Sequence, residues 1–212
     1  MMLILTKNKN SHFQLLEQFK KQKANILLGT QMIAKGLDFE NVTFVGVLNA
    51  DLSLNVPDFR ASERTFQLLC QVAGRSGRGS KAGTVLIQTY NPEHYAITCA
   101  SHHDYQAFYQ QEMLYRQKAL YPPYCHMVSI LIQSKHEDIL QIACQDIKNY
   151  LLAHTHQCKI LGPAHSVIYK MQDLYRQRIL IKFVQGKDVY EALKTMNDFY
   201  NKKQKRKGNS DM

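Results

Sequence analysis

The sequence predicts an α/β protein: a parallel sheet flanked by helices over the first half, then a small α+β domain of split-βαβ type. Three observations carry this. Short apolar runs bounded by glycine or polar residues alternate with helical runs up to residue 95. The pair Pro122-Pro123 then breaks the chain. Beyond it the order becomes strand, helix, strand, strand, helix, a split βαβ unit without its final strand.

Each element has its own signal. Leu3–Thr6 reads as a strand remnant, and Ser11 with Gln14 three residues on forms a capping box, followed by Phe13, Leu16 and Phe19 at helical spacing. Ile26-Leu27-Leu28 is a short buried strand ended by Gly29-Thr30, and Thr43–Leu48 is a second, ended by Asn49-Ala50-Asp51. Ala61–Val72 is helical and Gly83–Thr89 is a strand. Functional loops of such sheets lie at the carboxyl ends of strands, where Thr30 and Asp51 sit. One long helix is expected from Pro92 through Tyr95, Phe108 and Leu114 to Tyr121, with His102-His103 on its exposed side. His126–Gln133 is a strand with Val128, Ile130 and Ile132 on one face, and Asp138–Leu152 is an amphipathic helix. Lys159-Ile160-Leu161 is a short run before Gly162-Pro163, Gln177–Val184 alternates Ile179, Ile181 and Phe183, and Lys187–Tyr200 is a last helix. The expected divisions are residues 1–95 for the first lobe, 96–123 for the linking helix and Pro-Pro boundary, 124–200 for the α+β domain, and 201–212 for a basic, disordered tail containing Lys202–Lys207.

Charge and cysteine usage narrow the function. Lys and Arg number 27 against 17 Asp and Glu, a net charge of +10 that points to a polyanionic partner. The basic residues gather toward the two ends and leave the middle neutral. Five cysteines are scattered without C-x-x-C or Cys/His spacing, which argues against a zinc site built from this chain alone and suggests reduced, buried thiols. No apolar run approaches a membrane span and the start is too short for a signal peptide, so a cytoplasmic protein is expected.

Two stretches carry chemistry. In Gln71–Gly79, Arg75 and Arg78 each follow a glycine, Gly74 and Gly77, just after an apolar helical run. Glycine removes the side chain that blocks close approach, so these arginines can reach a phosphate; a solvated basic turn satisfies the same residues. In Gly29–Phe39, which follows a strand, the Thr30 hydroxyl and exposed backbone N–H groups suit a nucleic-acid phosphate, and Asp38, past Gly36, suits a ribose hydroxyl. An ordinary surface loop fits that stretch equally. In the last domain Arg176, Arg178 and Lys182 share one strand face opposite Ile179, Ile181 and Phe183. They form either a DNA-binding face, with Lys170 and the Lys202–Lys207 tail adding phosphate contacts, or a solvated sheet face. Tyr169, Tyr175 and Tyr190 are either base-stacking or half-buried tyrosines.

Taken together, Ile26–Gly36, Asn49-Ala50-Asp51, Asp58–Arg64, Gln71–Gly79, Gln88–His94 and Tyr121-Pro122-Pro123-Tyr124 resemble the primosomal replication-restart helicases, the PriA family of superfamily 2. The first and fourth of these stretches correspond to helicase motifs V and VI. The resemblance implies part of a second RecA-like lobe followed by the family's small C-terminal domain. It implies ATP-driven 3′ to 5′ translocation on single-stranded DNA at stalled forks and the start of primosome assembly. Arg78 would be the arginine finger, supported by Arg75 and Gln71. Gly36, Asp38, Gly74 and Gly77 would approach ATP with Mg²⁺, and Thr30, Gln31 and Lys35 would contact DNA. Implied partners are single-stranded and forked DNA, primosome proteins and the single-stranded-DNA-binding protein. Ser76 departs from the family's usual alanine without a change of role.

The sequence contains no G-x-x-x-x-G-K-S/T phosphate loop and no D-E-x-H box. The family's first lobe, its DNA-binding N-terminal region and its zinc-binding cysteine pairs are also absent, as is the closing strand. The expectation is a C-terminal fragment that is inactive as an ATPase alone, with ATP held by a missing first lobe and zinc belonging to the full-length family. A non-catalytic DNA-binding or primosome-docking module, or another superfamily 2 translocase, is the alternative.

Overall fold

The computed structural model describes residues 2–4, 9–30, 42–74 and 83–208. It divides into two compact units, Met1–Met113 and Leu114–Met212.

The first unit is built on two parallel strand pairs, each closed by a helical crossover. Strand β1 (Met2–Ile4), helix α1 (Lys9–Lys20) and strand β2 (Ile26–Leu28) form one, with Met2 opposite Ile26. Strand β3 (Phe44–Val47), helices α2 (Asp51–Leu54) and α3 (Ala61–Ala73), and strand β4 (Thr84–Ile87) form the other, with Phe44 opposite Thr84. Parallel pairing requires a long crossover rather than a hairpin, and the helical runs supply it. The expected parallel sheet with flanking helices is thus present. Helix α1 starts two residues before the anticipated Ser11 cap, since neither Lys9 nor Asn10 interrupts helical backbone.

The single long helix anticipated after Pro92 is two, α4 (Tyr95–Ser101) and α5 (Tyr105–Lys118). His103 has a left-handed φ of 54° and ends the first. Asp104 caps the second, its Oδ1 accepting the Ala107 N–H at 2.9 Å. His102 and His103 therefore lie in the turn. Phe66 and Leu69 of α3 pack with Ala96, Ile97, Cys99 and Ala100 of α4 and Phe108 of α5 in one core. Within it the Phe66 and Phe108 rings stack at 4.2 Å. Buried Glu112 is served by the Tyr95 hydroxyl, which donates to its Oε2 at 2.6 Å.

The second unit contains strand β5 (His126–Ser134), helix α6 (Glu137–His154), strands β6 (Cys158–Met171) and β7 (Leu174–Phe183), and helix α7 (Lys187–Gly208). The sheet order is β5-β7-β6, with β7 antiparallel to both neighbours, so the hairpin strand splits the βαβ unit as expected. Strand β6 continues past Gly162-Pro163 because the register shifts there instead of ending. Gly162 has φ 98°, and a Cβ on it would lie 2.8 Å from the Arg178 carbonyl, so only glycine fits the bulge. Gln172 and Asp173, both at positive φ, close the β6–β7 hairpin. Helix α7 carries helical backbone through Lys202–Lys207, where an irregular tail was expected; Lys, Gln and Arg are good helix formers and continue its frame.

Ile179, Ile181 and Phe183 face Ile147 and Leu151 of α6 and Val189 and Ala192 of α7. Ile181→Ala is expected to cost about 2–5 kcal/mol, whereas Val167→Ala, 65% exposed in the wild type, changes stability by less than about 0.5 kcal/mol. Urea unfolding followed by circular dichroism measures both.

Candidate nucleotide and DNA interface

The carboxyl ends of β3 and β4 are stitched together beyond the strands. The Gln88 amide donates to the Val47 carbonyl at 2.9 Å, and the Ala50 amide to the Gln88 carbonyl at 3.1 Å. The Asp51 carboxylate completes the seam: Oδ1 accepts the Thr89 hydroxyl at 3.0 Å and Oδ2 the Tyr90 amide at 2.9 Å. Asn49 Oδ1 accepts the Leu52 amide in the first turn of α2 at 3.3 Å. Leu48, Asn49, Asp51, Gln88, Thr89 and Tyr90 line a shallow depression at this edge. Thr30, at the end of β2, is exposed. His94 follows the seam, its Nδ1 accepting the Ala96 amide at 3.2 Å. Burial pushes its imidazole below the ordinary value against the upward pull of Glu112 and Asp51.

Helix α3 is held through its buried face and at its start. Ala61, Thr65, Phe66 and Leu69 form its buried face. The Thr65 hydroxyl lies 2.9 Å from both Ser53 Oγ and the Ala61 carbonyl, and Ser53 donates to the Ala50 carbonyl at 2.9 Å. This relay pins α3 to the residues preceding α2. At its start, Asp58 accepts from the Arg60 amide at 3.0 Å and pairs with the guanidinium groups of Arg60 at 3.0 Å and Arg64 at 2.9 Å. At its other end Gln71 is half-buried in the last turns, and exposed Gly74 caps the helix through the Cys70 carbonyl at 3.0 Å. Of the anticipated site residues, Gln31, Lys35, Gly36, Asp38, Arg75, Gly77 and Arg78 lie outside the described residues.

The cationic face of β7 is only partly what the alternation suggests. Arg176 and Arg178 are half-buried, and among the described residues neither has a carboxylate partner. Arg176 contacts Met171 Sδ at 3.7 Å, and its Nε is buried without a hydrogen bond. Lys182 is a correction to the expected DNA contact. Its residue is 9% exposed, its Nζ donates to the Ala119 carbonyl at 3.1 Å, and that atom lies 3.5 Å from the centroid of the Tyr121 ring. Burial pushes its ammonium pKa down. Its charge is spent inside the unit, holding the segment ahead of Pro122. Tyr169 is likewise engaged, bonded to Glu137 and packed on His165 and Tyr175, and its phenol is pushed up to about 12 mainly by the Glu137 bond. Lys170 lies over the Tyr175 ring and pairs with Asp173 at 3.7 Å. No cluster of metal ligands occurs among the described residues.

The Asp51 seam, the Asp58 pairs and buried Glu112 escaped a reading based on periodicity. The signal for Glu112 was its position four residues after Phe108, on the apolar side of α5.

The parallel-stranded first unit belongs to the helicase class: residues 3–80 match the helicase conserved C-terminal domain. Residues 117–211 match the Primosomal protein N C-terminal domain. Replication restart protein PriA of Bacillus subtilis (strain 168) is 48% identical over 198 residues, which are 92% of this chain and 24% of that protein. The PriA proteins of Synechocystis sp. and Treponema pallidum are 41% and 42% identical over 84% and 80% of the chain, and 22% and 26% of their own lengths. The chain belongs to the PriA family of replication restart proteins. It spans about a quarter of the length of the curated relatives it matches, over their C-terminal part.

Asp58 gives a pH test of the α3 anchor. The Arg60 side chain, with the Arg60 amide and the Arg64 charge, lowers its carboxyl from 3.8 to about 2. A depressed carboxylate stabilises the fold above its ordinary value and loses that contribution as pH falls toward the folded value. Wild-type stability is therefore expected to fall between about pH 4 and pH 2 more steeply than that of Asp58→Asn, as read by urea midpoints across that range.

Proposed function

We propose that this chain is the ATP-sensing and DNA-engaging C-terminal part of a replication-restart helicase that moves 3′ to 5′ on single-stranded DNA. At stalled forks it would cooperate with primosome proteins and single-stranded-DNA-binding protein in the cytoplasm. The observation that carries this is 48% identity over 92% of the chain to a replication restart protein, with a helicase domain match preceding a primosomal one.

The geometry supports the division of labour. Helix α3 is anchored at Asp58 and in the Phe66–Leu69 core, and it ends at Gln71 and Gly74, next to Arg75 and Arg78 in sequence. In this reading Arg78 is the finger that stabilises charge on the transferring phosphoryl group of ATP, with Arg75 and Gln71 beside it. Gly36, Asp38, Gly74 and Gly77 approach the nucleotide, and Thr30, Gln31 and Lys35 hold the DNA backbone. Mg²⁺ and the phosphate loop come from the first helicase lobe, and zinc from the cysteine pairs of full-length family members. Arg176 and Arg178 add a cationic face in the second unit. Arg178, which has no ion-pair partner among the described residues, also favours a second reading, a DNA-binding module without turnover of its own.

Phosphate release separates the two. The purified chain is expected to bind single-stranded DNA in a salt-dependent way without hydrolysing ATP. Adding the remaining N-terminal portion of the B. subtilis relative is expected to restore DNA-stimulated turnover, and Arg78→Ala to reduce that rate by roughly 10³-fold or more. DNA-stimulated hydrolysis by the chain alone would contradict the division of labour. Failure of the mixture to turn over would favour the binding module.

A further inference from the structure

The stretch Gln88–His94 is distinctive in the sequence, yet nothing in the proposed motor uses Tyr90. That side chain is 89% exposed, so folding gains almost nothing from burying the ring. Its backbone, by contrast, is fixed on both sides. The Tyr90 amide is held by Asp51 at 2.9 Å, and the Asn91 amide donates to the Thr89 hydroxyl at 3.0 Å, which itself donates to Asp51 at 3.0 Å. A flat aromatic is thus presented to solvent on a pre-organised loop, the arrangement that lowers the ordering cost of binding. It sits at the carboxyl ends of two neighbouring parallel strands, where ligands of open α/β sheets bind.

The chemistry of the surround selects the ligand. Leu48, 65% exposed, lines the same depression as Tyr90, together with Asn49 and Gln88, whose neutral side chains donate and accept hydrogen bonds. The charged residue among the lining residues is Asp51, which repels phosphate but not a neutral base. We propose that Tyr90 is a stacking platform for an unstacked nucleobase of single-stranded DNA, with Leu48 as an apolar wall and the Asn49 and Gln88 amides at the base edge. Every base offers a π-face, so the platform tolerates any sequence, as a translocating protein requires. This rests on the reading that the chain engages single-stranded DNA, and the phosphates of that strand are held elsewhere.

The test compares an oligo(dT) strand with an abasic strand of equal length, by fluorescence anisotropy. Wild-type chain is expected to bind oligo(dT) roughly 5- to 100-fold more tightly than the abasic strand. Tyr90→Ala is expected to lower oligo(dT) affinity to the abasic level without altering abasic binding, and Tyr90→Phe to retain the preference. The chain contains no tryptophan, so Tyr90→Trp introduces a single indole, whose emission is expected to respond to oligo(dT) and not to the abasic strand. Equal binding of both strands by wild type, or an unchanged preference in Tyr90→Ala, overturns the platform while leaving DNA binding intact. An indole response to free ATP in place of DNA overturns it in favour of a nucleotide. Binding of neither strand removes the platform together with the DNA-engaging reading.

Discussion

One carboxylate organises the working edge of the first unit. Two short parallel strands share few hydrogen bonds, and a pair of four-residue strands such as β3 and β4 ends abruptly. Asp51 extends their pairing past the last strand residues by taking the Thr89 hydroxyl and the Tyr90 amide on separate oxygens. The acceptor of both bonds is a carboxylate, so they are charge-assisted and stronger than bonds between neutral groups. The same residue opens α2, next to buried Ala50, whose carbonyl anchors Ser53 and through it Thr65 of α3. The strand ends, the short helix and the helix leading into the arginine pair are therefore one connected assembly.

The second unit solves a different problem with a cation. Burying a lysine is unfavourable unless its ammonium finds acceptors. Lys182 finds the Ala119 carbonyl at the end of α5 and the face of Tyr121. Those groups precede Pro122, where helical backbone cannot continue. The lysine thereby satisfies a terminal helix carbonyl and fixes the entry into β5 against the central strand. The same strand face then runs on to Arg176 and Arg178, whose charge is not neutralised by a neighbouring carboxylate among the described residues. One face of one strand thus divides into a structural end and an available end.

Much of this was legible from residue pattern. Period-two alternation identified Ile179, Ile181 and Phe183 as inward-facing, because strand geometry admits only two faces. The parallel pairs followed from helical runs between short apolar ones. The family was carried by motif combinations rather than by periodicity. What escaped has physical reasons. His102-His103-Asp104 contains neither glycine nor proline, so the α4–α5 break was silent; only a cap at Asp104, visible as an acidic residue ahead of a helical run, marked it. Gly162-Pro163 reads as a terminator, yet a bulge lets β6 absorb both residues. Period-two spacing puts Lys182 on the face opposite Ile181, but periodicity cannot show that a distant segment at Ala119–Tyr121 covers that end. Of the residues proposed to face the nucleotide, Gln71 lies in the last turns of α3 and Gly74 at its C-cap, while Arg75 and Arg78 lie outside the described residues.

The Asp51 seam is open to direct measurement by amide hydrogen exchange on the wild-type chain and Asp51→Ala. If the carboxylate organises the strand ends, the variant loses protection at Tyr90, Leu52 and Ala50, while the amides of β5 and β7 keep theirs. Unchanged protection at Tyr90 in Asp51→Ala would show that the loop is held by other means, and the connected assembly described for this edge would not stand.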